Sequence, residues 1–134
     1  MSVAPVLVDT NVASFLFANR PERALYQPAL RGRRATIAFQ TEAEMLAGAD
    51  IRGWGGKRRQ TLAEFLRDIP VIYPDRDTVR TWAHLRAALE KQGSVLDTAD
   101  LWIAATALTH DLTLLAHDTA FRRVGGLKLV CLAP

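Results

Sequence analysis

The sequence contains little that could cross-link, export or anchor the chain. Its 134 residues include a single cysteine, Cys131, which cannot form an internal disulfide. No apolar run approaches the roughly 20 residues of a membrane-spanning helix. The first residues also lack the basic, apolar and cleavage regions of a secretory signal. We therefore expect a cytoplasmic protein that does not associate with a membrane.

Nitrogen and sulfur ligands for a metal are equally scarce. The three histidines, His84, His110 and His117, are scattered along the chain, and a zinc site would need several such ligands close together. Carboxylates are more plentiful, with 14 Asp and Glu residues. Any metal site in this chain is therefore expected to use oxygen ligands.

What the chain does contain is enough apolar material for a core. Hydrophobic residues make up 49% of the sequence, and residues 1–134 are expected to form a single domain. Short apolar runs alternate with segments of helical periodicity, without repeats or linkers. This alternation predicts an α/β fold, with a central, mostly parallel sheet of four to five strands and helices on both faces.

Polar side chains follow two of the predicted strands. The run Val6-Leu7-Val8 ends in Asp9-Thr10-Asn11, and the run 112–116 ends in His117-Asp118. Ligands of open α/β sheets bind at the carboxyl edge of the strands, where these residues would lie. Asp9 could instead serve only as the N-cap of the next helix.

Glu44 is the third candidate acid. Thr41 and Glu44 match a capping box, in which both side chains would satisfy free amides at the start of a helix. Glu42 and Glu44 point to different sides of that helix, and Glu44 shares its side with Gly48, which leaves space beside a carboxylate. We therefore expect Glu44, rather than Glu42, to enter a site.

Asp97 and Asp100 open the most apolar helix of the chain. Both suit the positive end of a helix dipole, Asp97 as the N-cap and Asp100 as the third residue. Asp100 is the better site candidate, because it begins a helix with almost no other charge. Its placement at the carboxyl edge is the weaker inference, because its helix follows another helix rather than a strand.

Acids gathered at one edge repel one another. A pair about 5 Å apart costs roughly 3 kcal/mol at an effective dielectric near 20. A bound cation would remove this cost, and carboxylates without nearby histidine or cysteine favour a hard ion, Mg²⁺ or Mn²⁺. Such an ion suits the hydrolysis of phosphodiester bonds.

Positive charge is concentrated in the first part of the chain. Residues 1–60 carry a net charge of +4 and residues 61–134 a net charge of −1, within an overall charge of +3. One basic cluster spans Arg31–Arg34, and the second supplies our candidate RNA-binding residues: Arg52, Trp54, Lys57, Arg58 and Arg59. Such clusters attract phosphate, and an aromatic ring can stack on an unpaired base. The alternative is ordinary solvated charge on loops.

Two further local patterns concern the core. The helix that starts near Pro21 is expected to place Ala24 and Leu25 inward, and Phe121 is expected to anchor a short turn.

The sequence resembles the PIN-domain ribonucleases, specifically the VapC toxins of type II toxin–antitoxin modules. The resemblance extends over nearly the whole chain. It lies in Val8–Asn11, in Glu44 followed by Gly48, in the segment from Asp100 to Ala107, and in Leu115–Asp118 with Phe121 downstream.

The resemblance implies a PIN-like three-layer sandwich that binds Mg²⁺ or Mn²⁺ and cuts RNA. It makes Asp9 and Asp100 the main metal ligands, lets Glu44 and Asp118 complete the catalytic cluster, and gives Thr10 and Asn11 a supporting role. It also implies a homodimer and a VapB-like antitoxin that blocks the site. One departure concerns the last motif, where relatives often carry a threonine in place of Ala116.

Three functions remain open at this point. The leading hypothesis is a metal-dependent endoribonuclease toxin, which inhibits translation until its antitoxin binds. The alternative is a catalytically silent PIN-like module that binds RNA or protein, with the acids serving only as caps. The third is a DNA nuclease or another phosphoesterase with the same acid cluster.

Overall fold

The strands form at the short apolar runs of the sequence. The computed structural model describes residues 3–134, so Met1 and Ser2 of the expected single domain lie outside the described residues. The strands are β1 (Ala4–Val8), β2 (Arg33–Ala38), β3 (Val71–Ile72), β4 (Leu114–Ala116) and β5 (Leu129–Cys131). They form one parallel sheet in the order β3-β2-β1-β4-β5.

Helices connect the strands and cover both faces of the sheet. They are α1 (Thr10–Ala18), α2 (Arg23–Leu30), α3 (Phe39–Arg52), α4 (Gly56–Asp68), α5 (Arg76–Lys91) and α6 (Thr98–Thr109), followed by a short 3₁₀ helix at Thr119–Arg123. The predicted α/β fold with a parallel sheet between two helical layers is confirmed. None of the helices in residues 3–134 is long and apolar enough to cross a membrane.

The core is divided by the sheet into two halves. Alternate side chains of a strand point to opposite faces, so Leu7 packs with α5 and α6, while Val6 and Val8 pack with α1 to α4. Phe121 is completely buried beneath the first half, as expected. The two buried faces hold the strands at a fixed register, which places their carboxyl ends along one edge.

The inward face of α2 differs from the prediction. Leu25 is 46% exposed and Ala24 is also exposed, whereas Tyr26 is completely buried. The phenol packs against the sheet because its hydroxyl finds hydrogen-bond partners there, as described below. A buried tyrosine needs such partners.

The start of α3 also differs from the prediction. The helix begins at Phe39, its N-cap is Ala38, and no side chain caps it. Thr41 lies inside the first turn and is completely buried. Its hydroxyl lies 3.0 Å from the hydroxyl of Thr10 on α1. The expected capping box with Glu44 is therefore wrong, because Thr41 bonds to a neighbouring helix.

Candidate active site

Asp9 and Asp118 follow two strands that lie side by side. Val8 pairs with Leu115 in the sheet, so the residues after β1 and β4 emerge at the same edge. α3 starts directly after β2, the other neighbour of β1, and brings Glu44 to this edge in its second turn. The parallel register thus gathers acids from distant parts of the chain.

Asp9 is both a helix cap and a buried acid. One carboxylate oxygen accepts a hydrogen bond from Val12 N–H (2.8 Å), and the other accepts one from His117 N–H (3.1 Å). The residue is only 3% exposed. Burial raises the pKa of Asp9 to about 6, the two backbone hydrogen bonds oppose this rise, and the charges of Asp118 and Glu44 add to it.

Asp100 is the second acid with a strongly raised pKa. It is half-buried at the third position of α6. Its pKa is raised to about 7, mainly by burial and in smaller part by the negative charges of Asp118, Asp97, Asp9 and Glu44. Asp100 therefore lies near enough to these acids for their charges to act on it, although its helix follows α5.

Glu44 is held by two side chains of the same edge. Thr10 donates a hydrogen bond to its carboxylate (3.3 Å), as does the amide of Gln40 (3.3 Å). Thr10 thus contacts the acid cluster directly, whereas Asn11 is exposed beside it. Glu42 points elsewhere and accepts a hydrogen bond from the Tyr73 hydroxyl (2.7 Å), as the helical spacing predicts.

Asp118 and Asp97 border the cluster. Asp118 is half-buried and accepts a hydrogen bond from Ala120 N–H (2.9 Å), which fixes one of its oxygens at the start of the 3₁₀ helix. Asp97 occupies the N-cap position of α6, but its side chain makes no capping hydrogen bond there, and the residue is exposed. Of the two, Asp118 has the more defined orientation.

The donor set fits a hard cation that keeps part of its water shell. In residues 3–134, no three His, Cys, Asp or Glu side chains lie close enough to enclose an ion by themselves. Mg²⁺ needs no such cage, since it commonly binds one or two carboxylates and retains several waters. Burial is the largest cause of the raised pKa values of Asp9 and Asp100, neighbouring carboxylates add to it, and no positive charge of the described residues acts as a counter-charge. A cation at this edge would supply it.

The residue that sequence reasoning missed is Tyr26. Its hydroxyl donates to Ala116 C=O (2.7 Å), accepts from Leu132 N–H (3.1 Å) and lies 2.7 Å from His117 Nδ1. Because its one proton goes to the carbonyl, His117 Nδ1 is the donor in the last contact. This network fixes the backbone whose N–H group binds Asp9. The sequence around Tyr26 gave no local signal for this role, because its partners lie about 90 and 106 residues away.

The second basic cluster borders an open groove of about 720 Å³ that leads away from the acids. Thr10 and Glu44 line one end, and Arg52, Trp54 and Arg58 line another part. The groove therefore joins the acidic edge to exposed positive charge. The first cluster, Arg31–Arg34, lies at the amino end of β2, on the opposite edge of the sheet.

The members of the second cluster have different surroundings. Trp54 stacks on Phe17 (5.8 Å between ring centroids), and the Arg58 guanidinium lies 4.1 Å from the Trp54 centroid. Arg59 binds Asp50 (2.6 Å) and two backbone carbonyls, so its guanidinium joins α4 to the end of α3. Lys57 is exposed in the first turn of α4.

Comparison with known proteins agrees with the fold. The family model described as PIN domain matches residues 6–127. Ribonuclease VapC5 of Mycobacterium tuberculosis is 32% identical over 134 residues, covering 97% of this chain and 96% of the relative.

Two solved structures of toxin–antitoxin complexes are also similar. The structure of VapBC-1 from nontypeable Haemophilus influenzae matches with a TM-score of 0.79 and 26% identity, over 95% of this chain and 97% of that one. VapBC2 from Rickettsia felis, bound to a promoter DNA fragment, matches in fold with a TM-score of 0.83 at 22% identity, over 95% and 98% of the two chains. The chain therefore belongs to the PIN domain family and is a VapC-type member of it.

Proposed function

We propose that this protein is the endoribonuclease toxin of a type II toxin–antitoxin module, and that it cuts RNA with a Mg²⁺ or Mn²⁺ ion held by carboxylates. The observation that carries the proposal is the convergence of Asp9, Glu44, Asp100 and Asp118 at one edge, where burial, together with the charges of neighbouring acids, raises the pKa of Asp9 and Asp100. The VapC names of its relatives support the choice of RNA.

Asp9 and Asp100 are the proposed ligands of the ion. Asp9 is the more rigid of the two, because both of its oxygens already accept backbone hydrogen bonds. Each oxygen retains a lone pair for a cation. When bound, the ion would lower the pKa of a water molecule and neutralise charge on the phosphate.

Glu44 and Asp118 have the supporting positions. Glu44 is oriented by Thr10 and Gln40, and Asp118 by Ala120 N–H, so both carboxylates are fixed before substrate arrives. They can hold water by hydrogen bonds, with Glu44 between the cluster and the groove. Asn11 is exposed beside them, where it can contact the RNA backbone.

The groove is the proposed path of the RNA. Its exposed cations Arg52 and Arg58, together with Lys57 nearby, would neutralise phosphates. The Trp54 ring already contacts Phe17 and Arg58, so we assign it the role of holding the Arg58 guanidinium. Arg59 would contribute to RNA binding mainly by fixing the start of α4.

A cleavage assay tests this function. We expect the purified protein to cut a labelled, structured RNA with Mg²⁺ or Mn²⁺ and to stop when a chelator is added. Asp9→Asn should abolish cleavage, while Asp68→Asn, which changes an exposed acid at the end of α4, should retain it. Cleavage that continues in the chelator would contradict the metal mechanism, and preferential cleavage of DNA would favour the DNA nuclease.

The catalytically silent binding module has one observation in its favour. Asp9 satisfies Val12 N–H as a helix cap, and this role needs no metal. The silent module predicts RNA binding without cleavage and no change in melting temperature with Mg²⁺. A Mg²⁺-dependent rise in the melting temperature of the wild type, absent in Asp9→Asn, would argue against it.

We also propose a VapB-like antitoxin as the regulatory partner and a homodimer as the assembly, acting in the cytoplasm. The solved VapBC complexes of relatives support the antitoxin. The acidic edge would attract a basic side chain from it. Exposed apolar side chains at Leu46, Tyr73 and Val79 provide surface for self-association. Light scattering of the wild type and Leu46→Glu, alone and with antitoxin, tests both assemblies.

A further inference from the structure

Gly48 is surrounded differently from the other glycines of the described chain. A β-carbon at Gly48 would lie 2.5 Å from a terminal nitrogen of Arg52 and 3.7 Å from its Cζ. At the other seven glycines of residues 3–134, a β-carbon would meet nothing within 4 Å. The Arg52 side chain therefore folds back along α3 and occupies the space that a side chain at position 48 would need.

This arrangement brings positive charge toward the acids. Glu44, Gly48 and Arg52 follow one another at intervals of four residues, so they share one side of α3. The backbone of Arg52 lies about two helical turns from that of Glu44. Its guanidinium, however, lies level with Gly48, about 6 Å from Glu44 along the helix axis. All three residues line the groove.

The guanidinium remains available to a ligand. In residues 3–134 no carboxylate lies within salt-bridge distance of Arg52, whereas Arg59 is paired with Asp50. Local helix stability does not account for the glycine, because glycine in a helix interior is less favourable than alanine. The glycine does have a steric consequence, since its missing β-carbon makes the folded-back position of Arg52 possible.

We propose that Gly48 is a positioning residue that holds Arg52 where its guanidinium binds an RNA phosphate adjacent to the one being cut. The proposal rests on the function proposed above and adds to it how the groove presents its cation. A planar guanidinium can donate two hydrogen bonds to one phosphate, which makes this position specific. The competing explanation is that Arg52 only interacts with the negative end of the α3 dipole.

The salt dependence of RNA binding distinguishes the two explanations. Binding of a fluorescently labelled single-stranded RNA would be measured in a chelator at several salt concentrations. For Arg52→Ala we expect roughly tenfold weaker binding, as for a lost hydrogen bond to a charged group. The slope of log K against log salt should also fall by about 0.7, as for one lost phosphate contact on a single strand.

Gly48→Ala is the decisive variant. Its methyl group displaces the flexible end of Arg52 and leaves the backbone undisturbed, so the melting temperature should stay the same or rise. RNA binding and the salt slope should nevertheless fall as in Arg52→Ala. The double variant should bind no more weakly than Arg52→Ala alone, because both changes remove the same contact.

Two matched controls should bind RNA like the wild type. Gly56→Ala adds a methyl group at a helical glycine with open space around it. Arg67→Ala removes one exposed positive charge from the end of α4. With Mg²⁺ present, Gly48→Ala should raise KM roughly tenfold and leave kcat nearly unchanged, as expected for a binding contact.

The results separate this inference from the proposed function. Weaker binding in Arg52→Ala but not in Gly48→Ala would refute the positioning role of Gly48. Unchanged binding in both variants, with cleavage by the wild type intact, would refute the inference and leave the nuclease function standing. If both variants lose binding as expected but the wild type cuts no RNA, the nuclease function is overturned, and with it the placement of the bound phosphate next to a cleaved one, while the positioning of Arg52 by Gly48 for RNA binding is supported.

Discussion

The buried acid at the end of β1 predicts an unusual dependence of stability on pH. Well below pH 3.8, Asp9 is neutral in both the folded and the unfolded chain and has no electrostatic cost. As the pH rises toward 6, the unfolded chain loses this proton while the folded chain retains it, because the pKa rises on folding from 3.8 to about 6. The free energy of unfolding must therefore fall over this interval and then stay level.

The size of the fall follows from the pKa values. Folding raises the pKa enough to cost about 3 kcal/mol once Asp9 is ionised in both states. About 2 kcal/mol of this cost accrues between pH 4.5 and 7.5. For a domain of this length it corresponds to a decrease in melting temperature of roughly 6–8 °C. Asp100, with a pKa of about 7, lowers stability further in the same direction.

The assay is thermal unfolding in a chelator at pH values from 4.5 to 7.5. Other shifted groups titrate outside this window: the pKa of Asp75 is lowered from 3.8, and those of Tyr26 and Tyr73 are raised from 10.0. Asp9→Asn has no carboxyl group to titrate at this position, so its profile should be flatter.

The comparison uses the shape of each profile rather than the absolute melting temperature. An amide at position 9 cannot accept both backbone hydrogen bonds, and this loss shifts the whole curve. Asp68→Asn, at an exposed position, should keep the wild-type shape. The explanation would be refuted if wild-type stability stayed constant or rose over this range and Asp9→Asn showed the same profile.

Three further substitutions test the packing around the site. Tyr26→Phe should lower the free energy of unfolding by about 1–3 kcal/mol in urea denaturation, because the buried Ala116 carbonyl loses its donor and Leu132 N–H loses its acceptor; an unchanged value would contradict the network. Thr10→Val should reduce kcat/KM about tenfold by releasing Glu44, and Thr10→Ser, which keeps the hydroxyl, should restore most of it. Arg59→Ala should lower the melting temperature by a few degrees more than Asp50→Ala, because it also loses two backbone contacts; equal effects would contradict this role.

Local patterns were sufficient to predict the elements of this fold. The apolar runs that became β1 and β4 are buried on both faces, and such strands are recognisable from a few consecutive residues. The burial of α6 followed from its lack of charge on any side, which is also a local property. The parallel sheet then followed from the alternation of strands and helices.

Tertiary contacts decided the details that local patterns did not predict. Thr41 matches a capping box in sequence, yet its hydroxyl bonds to Thr10, which is 31 residues away. Arg59 and Arg52 belong to the same basic run, but Arg59 is held by Asp50 while Arg52 folds over Gly48. Residues of similar chemistry in one run therefore have different roles, because each contacts different residues in the folded chain.

The sequence by itself determined which residues could bind a hard cation, because only carboxylates were available in number and two of them followed predicted strands. The tertiary structure alone decided how those acids affect one another. Burial and the charges of Asp118 and Glu44, which are distant in sequence, raise the pKa of Asp9, and both effects depend on distances that the folded sheet sets. Tyr26, which fixes the backbone beside Asp9, is likewise defined by partners about 90 and 106 residues away.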